Sequence, residues 1–588
     1  PAVSDRNLPD SAASETMNAL PVSGGLEPIR EVSPYGIGVD SNARSFAIAF
    51  GRDSGVTYPE QDLIAPGSAS PGSGYEVITR LDSALFVRGS IASDAYDRWY
   101  SAGEDGSRVH PLIDGARESR NLGVPSLAGG GAVIPGGVRL VAFDDLNDGA
   151  LTDSGPADAP ADADIVTAAY WITAVTDMGE EGVPSLISKT VDRFDYDSEP
   201  FFYAVKLTMR LSLEVMQDSA VVTIRLYRTE GSGVALFCAD IAKADFAPDA
   251  AGGLLEHYDY VQSAALGEAC ASMNFDRPDT AMAGIADAGG GMFVGWFDNV
   301  VCFCEPYYPH AWPIEYQYKL PAGVVVMRVV ATLGGLLVVT DQGGFIFSGS
   351  DPLSMSHARL DTPYGCVSSD GVVDMGEYAL YPSAHGLVAL STSGERLITE
   401  KILTRQQWSA WDPQDMIAFR YRDRYLAFVR GQETGFVFDP DSGIYPIRHE
   451  RDNTTPWRSY DYIKSGQIDR RSGVIWLLFA HNGNVVISAF DAWLPATMTW
   501  ASKEFSLPLG AVLSCGIVDF GYGSSVSSCS IQLDEIKSGQ RKYHADLSVA
   551  KLQPFRLPPG RPTSLVATVS TKYRLSSIVL ASSIGELL

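Results

Sequence analysis

The residues best suited to chemistry are a histidine in an aromatic loop, a scattered set of aspartates and seven cysteines. His310 stands in the run YYPHAWP (307–313), with Glu305 close by in sequence. A catalytic histidine needs a nucleophile or a carboxylate within hydrogen-bond reach, and Glu305 is the candidate partner. The run around His310 is aromatic and proline-rich, so a packed structural loop is the expected role. The remaining histidines are dispersed, and no two have metal-ligand spacing on one strand face. Asp144, Asp145 and Asp148, and again Asp158, Asp162 and Asp164, could offer oxygens to Ca²⁺. Neither group follows the twelve-residue loop with its glycine and terminal glutamate, so a solvated linker is expected there. Asp298, Asp341, Asp370 and Asp374 are the carboxylates from which a glycosidase pair would have to be drawn. They lie mostly in turn-like contexts, where Asp is favoured on conformational grounds.

No GxSxG, P-loop, HExxH or strand-to-helix GxGxxG pattern occurs. The glycines of 288–292 (AGGGM) precede a strand pattern instead of a helix, which reads as a turn and not a phosphate cradle. The expectation is therefore no catalytic, cofactor-binding or metal site, and no enzymatic activity. The cysteines (238, 270, 302, 304, 366, 515 and 529) are odd in number and irregularly spaced. Cys302 and Cys304 alternate with Val301 and Phe303, so they share one strand face and read as small core residues. No zinc pattern is present, and assembly in a reducing cytoplasm fits this usage better than secretion.

The elements that must hold these residues are strands. The chain has 588 residues, 57 of them Gly and 34 Pro, with abundant Val, Thr, Ser and Tyr. That mixture favours many short strands joined by tight turns, and the length suggests about three or four units. The formal net charge of −27 argues against wrapping nucleic acid, which takes clustered Lys and Arg. A surface that repels DNA is the sharper reading of the same charge, and plain solubility is the blander one. The opening residues contain neither a basic stretch nor an apolar one, so no signal peptide is expected. The apolar run 322–340 (AGVVVMRVVATLGGLLVVT) imitates a membrane span, but Arg328, the Gly334–Gly335 pair and its many valines point to two buried strands with a turn between them.

A unit recurs between 283 and 490: MFVGWF-DN-VVCFCE from Met292, LLVVT-DQGG-FIFS from Leu336, YALYPSAHGLVALS from Tyr378, YLAFVRGQETGFVF from Tyr425 and IWLLFAHNGNVVISAF from Ile475. Start-to-start spacings are 44, 42, 47 and 50 residues, which is what propeller blades of several strands would produce. The stretch 144–164 is acidic and rich in Ala, Pro and Gly. It cannot bury enough apolar surface to offset its ordering entropy, so a linker or exposed loop is expected. Closely spaced strands after it predict a small sandwich, and residues beyond 500 predict another. The expected fold is all-β: an arm over 1–40, a first propeller portion over 41–164, an inserted fibronectin/Ig-like β-sandwich over 165–248, further propeller blades over 249–499, and a C-terminal β-sandwich over 500–588. Only 404–411 and 240–246 read as short helices.

With these elements in place, MFVGWFDNVVCFCEPYYPHAWP (292–313) resembles the core segment of the tail nozzle, or tail tubular protein B-like, family of short-tailed bacteriophages. The segments 336–355, 366–391, 394–413 and 422–429 continue the likeness in order. Upstream, 8–30 and 87–106 (VRGSIASDAYDRWYSAGEDG) resemble the family's N-terminal portion. Segments 170–185 (YWITAVTDMGEEGVPS) and 222–233 resemble its inserted fibronectin-like domain, and 502–508 with 554–560 its C-terminal sandwich. The resemblance implies a structural virion protein, made in the host cytoplasm and placed in the tail. It implies a homohexameric ring below the adaptor, partnered by the adaptor, other tail proteins and tail fibres or spikes. The ring would extend the channel through which genomic DNA passes without sequence specificity. It supplies no catalytic residues and no cofactor, and an acidic channel surface is expected. Two rival readings remain beside it: a carbohydrate-binding or carbohydrate-cleaving propeller, and a non-catalytic adhesion protein of the tail tip.

Overall fold

The structure is a computed structural model. It describes all residues except 1–12, 23–24, 33–36, 51–74, 92, 128–131, 145–149, 154–163, 196–202, 232, 361–363, 441–442, 449–461, 470–472, 482–483, 493–494, 521–527, 538–539 and 588. The described chain is almost wholly antiparallel sheet. It falls into two compact units, one of residues 1–84, 324–348 and 356–588, the other of 85–323 and 349–355.

The first unit contains a series of propeller-type blades, each a four-stranded meander. Val326–Thr332, Gly335–Thr340, Gly343–Ser348 and Ser356–Arg359 form one; Val373–Asp374, Tyr378–Pro382, Leu387–Ser391 and Gly394–Leu397 form the next. Met416–Tyr421, Arg424–Val429, Thr434–Asp439 and Gly443–Arg448 form a third. Tyr462–Ile468, Ile475–His481 and Asn484–Ala489 make three strands of a fourth, and Ile37–Val39 adds its last strand by pairing with Asn484–Ala489. First strands of successive blades lie side by side, and the first strand of the fourth blade meets Ser45–Phe50. Each sequence repeat marks the second and third strands of a blade. Those strands are buried on both faces, as in Leu337, Val338, Val339, Phe345 and Phe347, so they read as continuous apolar runs. Outer strands such as Ser356–Arg359 are exposed throughout and left no apolar signal.

The same unit holds the C-terminal sandwich, and the N-terminal segment is woven into it. Ala13–Met17 pairs with Met498–Ser502, while Ala19–Val22 and Gly25–Pro28 join Leu575–Ala581 and Cys515–Phe520 in the facing sheet. The extended arm expected over 1–40 is therefore, where described, sheet. Asn18 makes the crossover. It is buried with φ 56°, a left-handed conformation that Asn tolerates better than most side chains. Its Oδ1 accepts the Arg448 backbone N–H at 2.7 Å, and its own N–H donates to the Pro446 carbonyl.

The second unit carries two four-stranded sheets: Ala84–Arg88, Trp99–Gly103, Gly106–His110 and Arg120–Asn121; and Gly284–Gly289, Met292–Phe297, Val300–Phe303 and Gln317–Lys319. Between them in sequence lies the inserted sandwich. One sheet orders Ala150–Asp153, Ala132–Asp144, Tyr203–Ser212, Gly252–Asp259 and Ala247–Asp249; the other orders Val191–Asp195, Asp164–Thr176, Val221–Glu230 and Ala235–Ala242. Strand pairing thus carries the sandwich beyond 165–248 at both ends. Within the acidic stretch, Ala150–Asp153 is a strand paired back on Val141–Asp144, which corrects the expectation of a linker there; residues 145–149 and 154–163 lie outside the described residues. Alternate residues Val205, Leu207, Met209 and Leu211 point into the core against Tyr170, Ile172, Ile224 and Leu226. Full burial of such side chains stabilises by about 1.5–3 kcal/mol each.

The run 322–340 is a hairpin turning at Leu333, which is 96% exposed. Among the described residues no helix is long and apolar enough to cross a membrane. Helix Arg405–Ser409 forms where 404–411 predicted one, with Thr404 and Gln407 in a reciprocal capping box. At 240–246 the chain instead finishes a strand and makes a single 3₁₀ turn, Lys243–Asp245.

Candidate functional site

Within the second unit, three segments far apart in sequence meet at one buried knot of charge. The turn preceding strand Trp99–Gly103 supplies Asp94 and Arg98. Asp94 Oδ2 accepts from both the Arg98 backbone N–H, at 3.1 Å, and Arg98 Nε, at 2.8 Å. This local loop aims the guanidinium away from its own strand, and Arg98 Nη1 donates to Glu180 Oε1 at 2.6 Å. Glu180 is held by a tight turn of the inserted sandwich. Thr176 N–H donates to the Glu180 carbonyl, the Glu180 N–H donates to Thr176 Oγ1, and Gly179 takes the positive φ of 77° that the turn requires.

His310 completes the knot from the aromatic loop. It is buried, its Nδ1 lies 3.9 Å from Glu180 Oε1, and the rings of Phe275 and Tyr308 meet it edge-on. Its Nε2 has no hydrogen-bond partner. Burial pushes the imidazole below its ordinary pKa; the Glu180 carboxylate opposes that shift and the Arg98 guanidinium adds to it. Burial alone would raise the Asp94 carboxyl, but the hydrogen bonds and charge of Arg98 outweigh it and hold the group below the usual carboxylate value. A second tie runs beside the first. Arg120 pairs in bidentate fashion with Asp177, at 2.7 and 3.0 Å, and the Tyr96 hydroxyl donates to the Asp177 carbonyl. The knot fastens the inserted sandwich to the sheet of Trp99–Gly103. A paired carboxylate beside a buried imidazole, whose pKa burial lowers, holds the two elements together.

His310 is thus a packed loop residue, as expected, but its carboxylate neighbour is Glu180. Glu305 instead accepts the Tyr316 hydroxyl at 2.8 Å. The aspartates considered for glycoside chemistry each serve local structure. Asp298 sits in a turn at φ 43°. Asp341 accepts the Val325 N–H, and Asp374 accepts the Gly376 N–H. Asp370 pairs with Arg430. Asp164 is an exposed strand residue; Asp144 ends a strand; Asp145, Asp148, Asp158 and Asp162 lie outside the described residues. Gly289, Gly290 and Gly291 all have positive φ and turn the chain into strand Met292–Phe297. Cys302 and Cys304 are both buried. Among the described residues no group of three His, Cys, Asp or Glu side chains is placed to hold a metal ion.

One buried network was not singled out from the sequence. In the inserted sandwich, Arg228 Nη1 lies 2.6 Å from Asp259 Oδ2, with both side chains fully buried. Asp259 also accepts from the Tyr170 hydroxyl at 2.7 Å and the Val261 N–H at 2.9 Å. Asp259 is thus well supplied with donors, as a carboxylate inside a core must be, while Arg228 Nη2 is buried without a hydrogen-bond partner. In the strand VTIRLYRT, Arg228 falls in phase with the core residues Ile224 and Leu226 and Arg225 does not, so alternation places Arg228 on the inward face, while its partner Asp259 is given by no local pattern.

The architecture defines an all-β protein of propeller-type blades with two β-sandwiches. No protein-family model matches the chain, and no curated protein does. Among solved structures, a streptogramin B lyase is 11% identical, with a TM-score of 0.26 over 69% of this chain and 98% of that one. A virginiamycin B lyase from Staphylococcus aureus with quinupristin is 12% identical, with a TM-score of 0.25 over 60% and 99%. The calcium-binding protein regucalcin from Agrobacterium tumefaciens is 8% identical, with a TM-score of 0.24 over 49% and 87%. Likeness at this level brings no activity to this chain.

Proposed function

We propose that the chain is a non-enzymatic structural subunit of the tail nozzle of a short-tailed bacteriophage. In this reading it associates with copies of itself into a ring, a hexamer by family resemblance. The ring sits below the adaptor and lets the genome pass. The observation that carries the proposal is the convergence at the knot. Segments 87–106, 170–185 and 292–313, which bear the resemblance, supply Arg98, Glu180 and His310 to a single buried contact. Motifs whose residues lock domains together suit a part that must stay rigid while DNA moves past. The net charge of −27 suits the same task. A duplex carries one charge per about 1.7 Å of axis, so an acidic wall repels it where a basic wall would hold it at many points.

Negative-stain imaging and native mass measurement of the purified chain test the proposal. Rings with a central pore, at a mass that is a multiple of the 63.2 kDa chain, are expected. A persistent monomer that degrades polysaccharide would overturn it in favour of the carbohydrate-cleaving reading.

A further inference from the structure

The C-terminal sandwich differs in charge from the rest of the chain. Residues 500–588 hold nine Lys and Arg against six Asp and Glu, whereas residues 1–499 hold 35 against 65. Part of that positive excess gathers at the end of one hairpin. Strands Ser528–Lys537 and Gln540–Ala550 pair with Lys537 opposite Gln540 and Glu535 opposite Tyr543, and Lys542 is the extra residue where the register shifts.

A strap brings a third cation to the same place. Glu535 Oε1 accepts the Thr563 N–H at 2.7 Å and the Thr563 hydroxyl at 2.6 Å, and the Tyr543 hydroxyl donates to the Pro558 carbonyl at 3.1 Å. Gly560 lies against the Tyr543 ring, where a Cβ would come within 2.4 Å. Segment 558–563 thus crosses the base of the hairpin and carries Arg561 with it. Lys537, Lys542 and Arg561 are all exposed. The acids of the hairpin face other work. Asp534 and Glu535 are buried; Asp534 accepts from Gln532 Nε2 at 2.6 Å and lies 2.8 Å from His544 Nδ1, while Glu535 holds the strap. Among the described residues no carboxylate lies within ion-pair distance of Lys542 or Arg561.

The strand that bears Lys542 is also an open edge. Among the described strands, Gln540–Ala550 pairs only with Ser528–Lys537, so eleven residues leave one side of the ladder unpaired. Lysine on such an edge discourages indiscriminate pairing and leaves an acidic neighbour as the favoured one. Copies of a chain with charge −27 repel wherever their acidic surfaces face each other. Association between copies therefore needs a surface of opposite sign on one side of the contact. This hairpin end supplies that side, and the acids of 1–499 supply the other. Duplex DNA is the competing anion, but the field of the whole chain repels it before a short cationic patch can hold it. We infer that the hairpin end carrying Lys537, Lys542 and Arg561 docks on an acidic surface of a second copy of this chain, head to tail. The inference rests on the self-association in the nozzle reading and says which surface makes it.

Sedimentation velocity of the full chain, with negative-stain imaging of the same samples, tests it. The parent chain should associate, and raising NaCl from about 0.05 M to about 0.5 M should weaken that association about tenfold or more, because exposed charges make the contact. The triple variant Lys537→Glu, Lys542→Glu, Arg561→Glu should weaken it about tenfold or more at low salt and remove most of the salt dependence. Should the triple variant fail to fold, Lys542→Glu alone should weaken it about threefold or more. Unchanged association in a folded variant overturns the inference, and rings seen in that variant leave the nozzle reading standing. Loss of association in the variant, from parent assemblies that are not rings, upholds the inference and removes the nozzle reading. A parent chain that stays monomeric at both salt concentrations overturns the inference. Retained association together with lost binding of a labelled DNA duplex overturns it too and assigns the patch to nucleic acid.

Discussion

Arg98 Nη1 stands 2.6 Å from Glu180 Oε1, although the two residues are 82 positions apart in the chain. One lies in the turn leading into strand Trp99–Gly103 and the other in a turn of the inserted sandwich, and both side chains are nearly buried, at 11% and 7% exposure. The pair therefore sets where the insert is held.

Removing one partner should be far worse than removing both. Arg98→Met leaves Glu180 and Asp94 buried without their counter-charge, and a loss of about 3–5 kcal/mol is expected from breaking a buried pair. Arg98→Met combined with Glu180→Leu should recover part of that loss. A double-mutant cycle by urea denaturation checks it, and additive effects would mean that the two side chains do not interact.

Stability should fall on acidification in two stages. The folded state keeps His310 below its ordinary pKa of 6.5 through burial. In the unfolded chain the imidazole takes up a proton more readily, so the contribution is complete above about pH 6.5 and declines as pH drops toward the folded value. Asp94 shifts in the same direction for a different reason. Arg98 lowers its pKa against the pull of burial, so its contribution is present above the ordinary carboxylate value of about 3.9 and is lost only as pH falls further. His310→Gln should flatten the first stage and leave the second. Urea midpoints measured from neutral to strongly acidic pH will show whether it does.

The blades should be sensitive at the apolar runs and indifferent at the hairpin tips. Phe436→Ala opens a cavity at a fully buried position and should cost about 3–5 kcal/mol. Leu333→Ser, at a residue 96% exposed, should change stability by less than about 0.5 kcal/mol. Equal effects in thermal unfolding would contradict the assignment of these strands.

Asn18 should act as a clasp for the N-terminal strands. Asn18→Ala removes the acceptor of the half-buried Arg448 N–H, now bound at 2.7 Å, and puts alanine at φ 56°. The lost hydrogen bond is worth about 0.5–1.5 kcal/mol. Limited proteolysis should release the N-terminal segment faster in the variant, while cleavage elsewhere stays at the parent rate.

Much of the architecture was legible before any coordinates. The recurring pairs of apolar strands, the hairpin at Gly334–Gly335, the shared face of Cys302 and Cys304 and the short helix after Thr404 all follow from periodicity, turn chemistry and capping. These signals reach only a few residues along the chain, and strand runs buried on both faces declare themselves by composition. The exposed strand Ser356–Arg359 and the two-residue strand Val373–Asp374 went unseen because pairing, and not composition, makes them strands.

What no local pattern holds is who meets whom. Ile37–Val39 finishes a blade begun at 462, Ala13–Met17 joins a sheet beyond 498, and His310 faces Glu180 instead of the nearer Glu305. Hydrogen-bonded sheet edges and buried charges choose partners by geometry across hundreds of residues. A strand carries the need for a neighbour in its own residues, and an arginine the need for an acid, but only the packed chain selects which one.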